Sequence, residues 1–368
     1  MSDTVPPTSP RNFEIAVICA LPIEAEAVES CFDARWNIQY TKATRDQNAY
    51  TVGRMGKHAV VLAWMPGTGK ANSASVAANC HSTFTGLKLC LIVGVCGGVP
   101  TSNEPLLGDV VISTQVVQYD YGSRLPNKVA IKNTLEESLP RPNREIRSYL
   151  GKMSSPKGRK GLEETTTNYL QEILNQEDMG DCKYPGVDKD RLFGPTYRHK
   201  HYRGDCCICT RCENEGDEVC DDALKSNCVD LGCKPGEQLL RPRLQGIQQR
   251  REGPKPRIHF GPVASGDLVM KSAQHRDQLA FEENVIAFEM ESAGAWETLP
   301  TIVIKSICDY ADSHKGYEWH GYAAAAAAAC MKAFLGGWWP TEAQPGAYLY
   351  GLDACISHLT DWNTASAS

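Results

Sequence analysis

The chain has 368 residues, 42% apolar and 22% charged, with 38 Lys and Arg against 44 Asp and Glu. That is enough chain to bury a sizeable core in one large or two ordinary domains, which excludes a wholly disordered or fibrous protein. A net charge of −6 gives no general basic footprint for nucleic acid, and no nucleic-acid partner is expected. Residues 1–12 are polar and carry three prolines, and the longest apolar stretch, 87–99, is interrupted by Lys88, Gly94, Gly97 and Gly98. Neither a signal peptide nor a membrane span is predicted, and a cytoplasmic location follows as the expectation. In that reducing setting the sixteen cysteines stay as thiols or bind metal.

In chain order, short apolar runs predict strands over 14–20, 49–53, 59–65, 89–94 and 109–118, with helical spacing over 22–31 and 69–84 between them. Next comes a proline-marked stretch with helices near 143–153 and 162–176 and a basic loop, 152–160, between them. Eight of the sixteen cysteines then fall between Cys182 and Cys233, a window of 52 residues. Beyond it the alternation of strand and helix resumes: strands over 258–265 and 285–289, a helix over 292–299, a strand over 301–308, and a helix over 318–335 with seven consecutive alanines, stopped by Gly336 and Gly337. The simplest organisation is one α/β domain made from 13–122 and 256–339, an inserted region 123–255 that includes the Cys-rich segment, and a peripheral tail 340–368.

Two glycine clusters invite nucleotide-loop readings. The run Pro66-Gly67-Thr68-Gly69-Lys70 fails as a phosphate-binding P-loop, because Trp64 and Ala71 stand where that motif needs Gly and Ser or Thr. The run Gly94-Val95-Cys96-Gly97-Gly98 lacks dinucleotide spacing and reads either as a tight turn after a buried strand or as small residues that let a flat ligand lie on the backbone. The acids say more. Glu24, then Glu289 with Glu291, then Asp309 with Asp312 each follow a predicted strand. Each alone suits a helix cap or first-turn charge, and together they suit one crevice at the strand ends.

The strings IAVICALPIEAEAV (15–28), GTGKA (67–71), VGVCGGV (93–99), LGDVVIS (107–113), SGD (265–267), AFEMESA (287–293) and KSICDYAD (305–312) occur in the order seen in the nucleoside phosphorylase and nucleosidase superfamily. The sequence most resembles methylthioadenosine/adenosylhomocysteine nucleosidases, and especially the fungal branch linked to NLR-type immune proteins. The resemblance implies a three-layer α/β fold with a central mixed sheet, here carrying a Cys-rich insertion. It also implies an N-glycosidase that releases a purine, preferably adenine, from a nucleoside or nucleotide. By that likeness Asp309 is the acid that protonates the purine and Glu24 the carboxylate that activates water. Glu291 is the ligand of the ribose hydroxyls, Met290 lies beneath the sugar, and Phe288, Glu289, Val95, Cys96, Gly97, Val269, Met270 and Ala311 line the substrate. Relatives place a stacking aromatic at the position of Val269, so Tyr119, Phe288 or Trp319 is expected to substitute.

Water is favoured over phosphate as acceptor. Phosphorylases of this kind carry arginines where this chain has Glu24, Glu26 and Ile92, and a phosphate-contacting hydroxyl where it has Val95; a carboxylate repels phosphate. ATP is the favoured substrate, with adenosine or methylthioadenosine as the other possibilities. The cations available for a triphosphate are His314, Lys315, Lys70, Arg124, Arg198 and Arg203. Phosphorolysis, a non-catalytic nucleoside-binding module and a zinc-dependent interaction protein stand as alternatives. Catalysis needs no cofactor, but the spacing of Cys206, Cys209, Cys212, Cys220, Cys228 and Cys233, with His199 and His201 nearby, suits a structural tetrahedral zinc. The resemblance also implies a homodimer, with an NLR-type partner in other chains.

Overall fold

β1 (Ile15–Cys19) is buried at all five positions because it has parallel neighbours on both sides and helices on both faces. α1 (Pro22–Glu29) starts at once, with Pro22 in its first turn where a missing N–H costs nothing. β2 (Ala34–Trp36), β3 (Ala49–Met55) and β4 (His58–Trp64) form an antiparallel meander that joins β1 through β4. α2 (Lys70–Thr83) then crosses to β5 (Leu89–Gly98), and β6 (Val110–Gln118) follows. A small hairpin, β7 (Gly122–Arg124) and β8 (Val129–Ile131), precedes α3 (Arg144–Ser154) and α4 (Pro156–Leu174).

The Cys-rich segment carries short helices α5 (Cys207–Arg211), α6 (Asp221–Lys225) and α7 (Cys228–Leu231), followed by α8 (Pro242–Arg250). The last third contains β9 (Ile258–Ser265), α9 (Ala273–Glu283), β10 (Ala287–Glu289), α10 (Ser292–Ala295), β11 (Thr301–Asp309) and α11 (His320–Gly336). The structure, a computed structural model, describes residues 5–126, 129–132, 134, 138–214, 216–250 and 255–341. Met1–Gly337 forms one unit, within which the Cys-rich segment folds. The second unit is Trp338–Ser368; its residues 338–341 carry no helix or strand, and the rest of the expected tail lies outside the described residues.

The nine strands run in the order β10-β9-β6-β11-β5-β1-β4-β3-β2, mixing parallel and antiparallel pairs. β10 also pairs antiparallel with the end of β5, so β5, β11, β6, β9 and β10 close into a ring. Of the two readings of 94–98, this removes the tight turn. The glycines continue the strand, because Gly97 and Gly98 pair with Phe288 and Ala287. Layers of helix cover both faces: α1, α4 and α11 on one, α2 and α10 on the other. Along β1, Ala16 and Ile18 enter a core with Val76, Ala77 and Cys80 of α2, while Ile15 and Val17 face the opposite layer. α11 is buried on every side from Gly321 to Met331, so its alanines let it lie between the sheet and two helices.

Two sequence expectations change here. The basic loop at 152–160 is instead the junction of α3 and α4, where Ser155 caps α4 and Pro156 opens it. The helix expected over 292–299 stops at Ala295. β2, the β7–β8 hairpin and α9 were not indicated by periodicity. Among the described residues no helix is long and apolar enough to cross a membrane.

Candidate active site

A cavity of about 160 Å³ opens where the ring of strands ends, and it brings together carboxyl groups that lie far apart in the chain. Glu24, Glu289, Glu291 and Asp309 all line it, and all are buried.

Glu24 sits in the first turn of α1. Its Oε2 accepts from the N–H groups of Ala20 and Leu21, both at 2.9 Å, and its Oε1 accepts from Val95 N–H at 2.8 Å. A side chain at position 94 would place Cβ 2.1 Å from that Oε1, so Gly94 is the residue that admits the carboxylate. Burial is the main reason its pKa is raised; the Glu291 carboxylate adds to the rise and the Lys305 ammonium opposes it.

Asp309 ends β11, and its orientation comes from an irregularity. Ile307 pairs with Cys96 and Asp309 with Gly97, so two residues of β11 span one of β5 and Cys308 is the extra residue of a bulge. Oδ1 of Asp309 accepts from Ala311 N–H at 2.8 Å, and Lys315 Nζ lies 3.0 Å from Oδ2. Ala311 holds a left-handed backbone, φ 51°, which turns the chain back toward the cavity.

Glu291 and Glu289 follow β10 and divide their work. Glu291 Oε2 accepts from Lys305 Nζ at 2.6 Å, and its Oε1 accepts from Gly69 N–H at 3.3 Å. Glu289 accepts from the N–H groups of Glu291 at 3.0 Å and Ser292 at 3.1 Å, which fixes the turn that presents Glu291. Lys305 is the functional residue missed by the sequence reading. It is buried on β11 with Nζ also 3.7 Å from Glu289. Burial would push its pKa down, but the carboxylates of Glu291, Glu24 and Glu289 outweigh burial and hold it above the usual lysine range. A lysine inside the apolar run IVIKSIC was the available signal, because an unpaired ammonium does not persist in a core.

The remaining lining residues include Val95, Cys96, Gly97, Val269, Met270, Phe288, Met290 and Ala311, together with Leu21, Thr68, Leu268 and His320, which sequence reasoning did not single out. Phe288 is the one of the three candidate aromatics that reaches the cavity. Tyr119 stands behind it, edge-on at 5.6 Å, and donates its hydroxyl to Leu268 O, while Trp319 packs against Tyr184 and Tyr322. Asp312 does not line the cavity; it accepts from His314 N–H and faces the buried Arg276.

Of the five expected phosphate cations whose side chains are described, only Lys315 lines the cavity. Lys70 is bound to Asp120 at 2.5 Å and lies 3.7 Å from Asp267. Arg198 bonds Cys212 Sγ and Asp217 O, and Arg203 packs along Gly232. His314 turns its ring into a cluster with His199, Cys228 and Cys233. The Arg124 side chain lies outside the described residues. The cysteines also differ from expectation. Cys206, Cys209 and Cys220 gather around His201, Cys228 and Cys233 belong to the other cluster, and Cys212 joins neither; its Sγ accepts from Arg198 Nε at 3.4 Å.

A mixed α/β fold with carboxyl groups converging at strand ends defines a class in which known proteins supply the family. Residues 14–172 match the phosphorylase superfamily. A 5′-methylthioadenosine/S-adenosylhomocysteine nucleosidase from Mycobacterium bovis is 33% identical over 332 residues, 87% of this chain and 95% of that protein. A nucleotide-binding leucine-rich repeat (NLR)-like protein from Hyaloscypha variabilis is 29% identical over 337 residues, 90% of this chain, and this chain spans only 30% of its length. Among solved structures, the Streptococcus pneumoniae MTA/SAH nucleosidase bound to 8-aminoadenine shares the fold at a TM-score of 0.52 and 16% identity, with 89% of this chain and 100% of that one covered. The chain belongs to the phosphorylase/nucleosidase superfamily.

Proposed function

We propose that the protein is a purine N-ribosyl hydrolase that releases adenine from an adenine nucleoside or nucleotide. The observation that carries this reading is the meeting of Glu24, Glu291 and Asp309 around one cavity. Water adds to C1′ of the sugar and passes a proton to Glu24, while the C1′–N9 bond breaks and its electron pair leaves with the purine. Asp309 gives that purine a proton at N7. Glu291 accepts from the ribose 2′ and 3′ hydroxyls, with Lys305 holding its carboxylate in place. The raised pKa of Glu24 suits a general base better than an ordinary glutamate, because transfer is most effective when pKa approaches working pH.

Water is the acceptor in this reading because the cavity is acidic. Four carboxyl groups face two ammonium groups, Lys305 and Lys315, each paired with an acid, and burial pushes the His320 imidazole down. Inorganic phosphate would meet net repulsion there.

The 5′ group separates two forms of the proposal. ATP rests on the likeness to NLR-linked nucleosidases and on the NLR-like relative. An uncharged 5′ end, as in methylthioadenosine, rests on Lys315 being the single cavity-facing cation among the described candidates and on the methylthioadenosine nucleosidase relative. We also infer a homodimer: Leu268 and Val269 line the cavity yet are 67% and 51% exposed, an apolar rim suited to cover by a second copy. Adenine release from ATP, adenosine and methylthioadenosine, each with and without phosphate, tests the proposal. Release without phosphate supports hydrolysis; release only with phosphate, forming ribose 1-phosphate, refutes it.

A further inference from the structure

We propose that the Cys-rich segment holds two structural zinc ions and that one of them fastens the loop behind Asp309. The first set is His201, Cys206, Cys209 and Cys220; the second is His199, Cys228, Cys233 and His314. Ligand atoms within each set all lie within 4.8 Å of one another.

The spacing among His201, Cys209 and Cys220, and between the histidines and cysteines of the second set, is that of a tetrahedron around zinc. With Zn–S of about 2.3 Å and Zn–N of about 2.0–2.1 Å, tetrahedral edges come to about 3.8 Å between sulfurs, about 3.5 Å between sulfur and nitrogen and about 3.3 Å between nitrogens. In the first set Cys209 and Cys220 Sγ are 3.6 Å apart and lie 3.5 and 3.4 Å from His201 Nδ1. In the second, Cys228 Sγ is 3.7 Å from His199 Nδ1 and 3.5 Å from His314 Nδ1, and Cys233 Sγ is 3.8 and 4.0 Å from the same atoms.

The far side of each imidazole gives an independent observation. His199 Nε2 lies 2.9 Å from Ser226 O, His314 Nε2 3.1 Å from Tyr197 O, and His201 Nε2 3.2 Å from Asp222 Oδ2. A carbonyl or ionised carboxylate only accepts, so each Nε2 carries a proton and each Nδ1 of a neutral ring presents a lone pair to its cluster. The Nδ1 atoms of His199 and His314 are 3.2 Å apart. Two lone pairs at that distance repel unless a cation lies between them.

Among the described residues the segment's apolar core is small. Its core cluster consists of Cys209, Ala223 and Leu231, with cysteines and Val219 around it. So small an apolar core does not hold a loop-rich module, which metal coordination does. Four protein ligands per ion leave no open position for water, which makes both sites structural, and thiolate with imidazole in tetrahedral array selects zinc.

His314 joins this module to the cavity. It lies five positions after Asp309, and its neighbour Lys315 bonds the Asp309 carboxylate. The second ion therefore holds a positioning loop, whereas the first holds only the insertion. That contrast in turnover rests on the hydrolysis proposed above; the metal content does not.

Zinc measured by atomic emission in the full-length protein, purified without chelator, is expected at about two per chain and about one in Cys209→Ser and in Cys228→Ser. Titrating wild-type thiols with a mercurial while an indicator follows released zinc gives the same count without a variant. Fewer than two zinc ions in the wild type, or iron in their place, overturns the assignment. At saturating substrate, Cys228→Ser is expected to lower kcat about tenfold and Cys209→Ser to leave it near wild type, because small displacements of a positioned group are costly. An equal fall in both variants overturns the role of the loop. A wild type that holds two zinc ions but releases no base refutes the hydrolase reading alone.

Discussion

The acidic cavity and the Cys-rich segment are built in opposite ways. The cavity takes its shape from backbone. Its carboxylates are fixed by N–H groups of Ala20, Leu21, Val95, Gly69 and Ala311, which the sheet and its flanking turns hold still. The Cys-rich segment contributes little sheet and little core, and two sets of sulfur and imidazole side chains gather within it. A site framed by backbone tolerates the loss of a side chain without losing its shape, whereas a module framed by side chains loses its shape with any one of them.

Three experiments sharpen that contrast. The largest effect is expected for Asp309→Asn. Base release should fall by about 10²–10⁴, equivalent to roughly 3–5 kcal/mol, while the melting temperature stays close to wild type. Near-normal turnover would remove Asp309 from the acid role, and an unfolded variant would contradict the backbone-framed picture. A smaller loss, about tenfold to a hundredfold in kcat/KM, is expected for Gly94→Ala, whose Cβ would fall 2.1 Å from Glu24 Oε1 and displace the carboxylate without touching substrate. Unchanged kinetics there would show that Glu24 works from another position.

The finest test is the pH profile. Glu24 has a raised pKa in the fold, mainly through burial, so it stays protonated to higher pH than a free glutamate and acts as base only above that range. The acidic limb of log kcat/KM should lie above the ordinary glutamate value of about 4.3 and vanish in Glu24→Gln. A limb at or below that value would separate the base from Glu24.

Much of this was legible in the sequence where local pattern and chemistry agree. β9 runs over 258–265, as its apolar run predicts, and four of the five acids after predicted strands line one cavity, Asp312 being the exception. What escaped depends on partners far away in the chain. Glycine weakens a strand, so 94–98 read equally as a turn; only pairing with β10 and the approach of Glu24 show why the strand continues through glycine. Lys305 looked like an ordinary strand residue until three carboxylates surrounded it. The two Cys/His sets were hidden for the same reason. Consecutive cysteines suggested one local site, but His314 arrives from beyond β11 and Cys212 stands outside both sets, bonded to Arg198.

The extra residue at Cys308 makes the direction of Asp309 a matter of counting. Because successive side chains of a strand alternate between faces, removing that single residue would keep nearly every bond of β11 to β5 and yet turn the carboxyl group away from the cavity. Changes of length at the end of this strand should thus be worse than changes of kind, in the way a frameshift is worse than a misspelling.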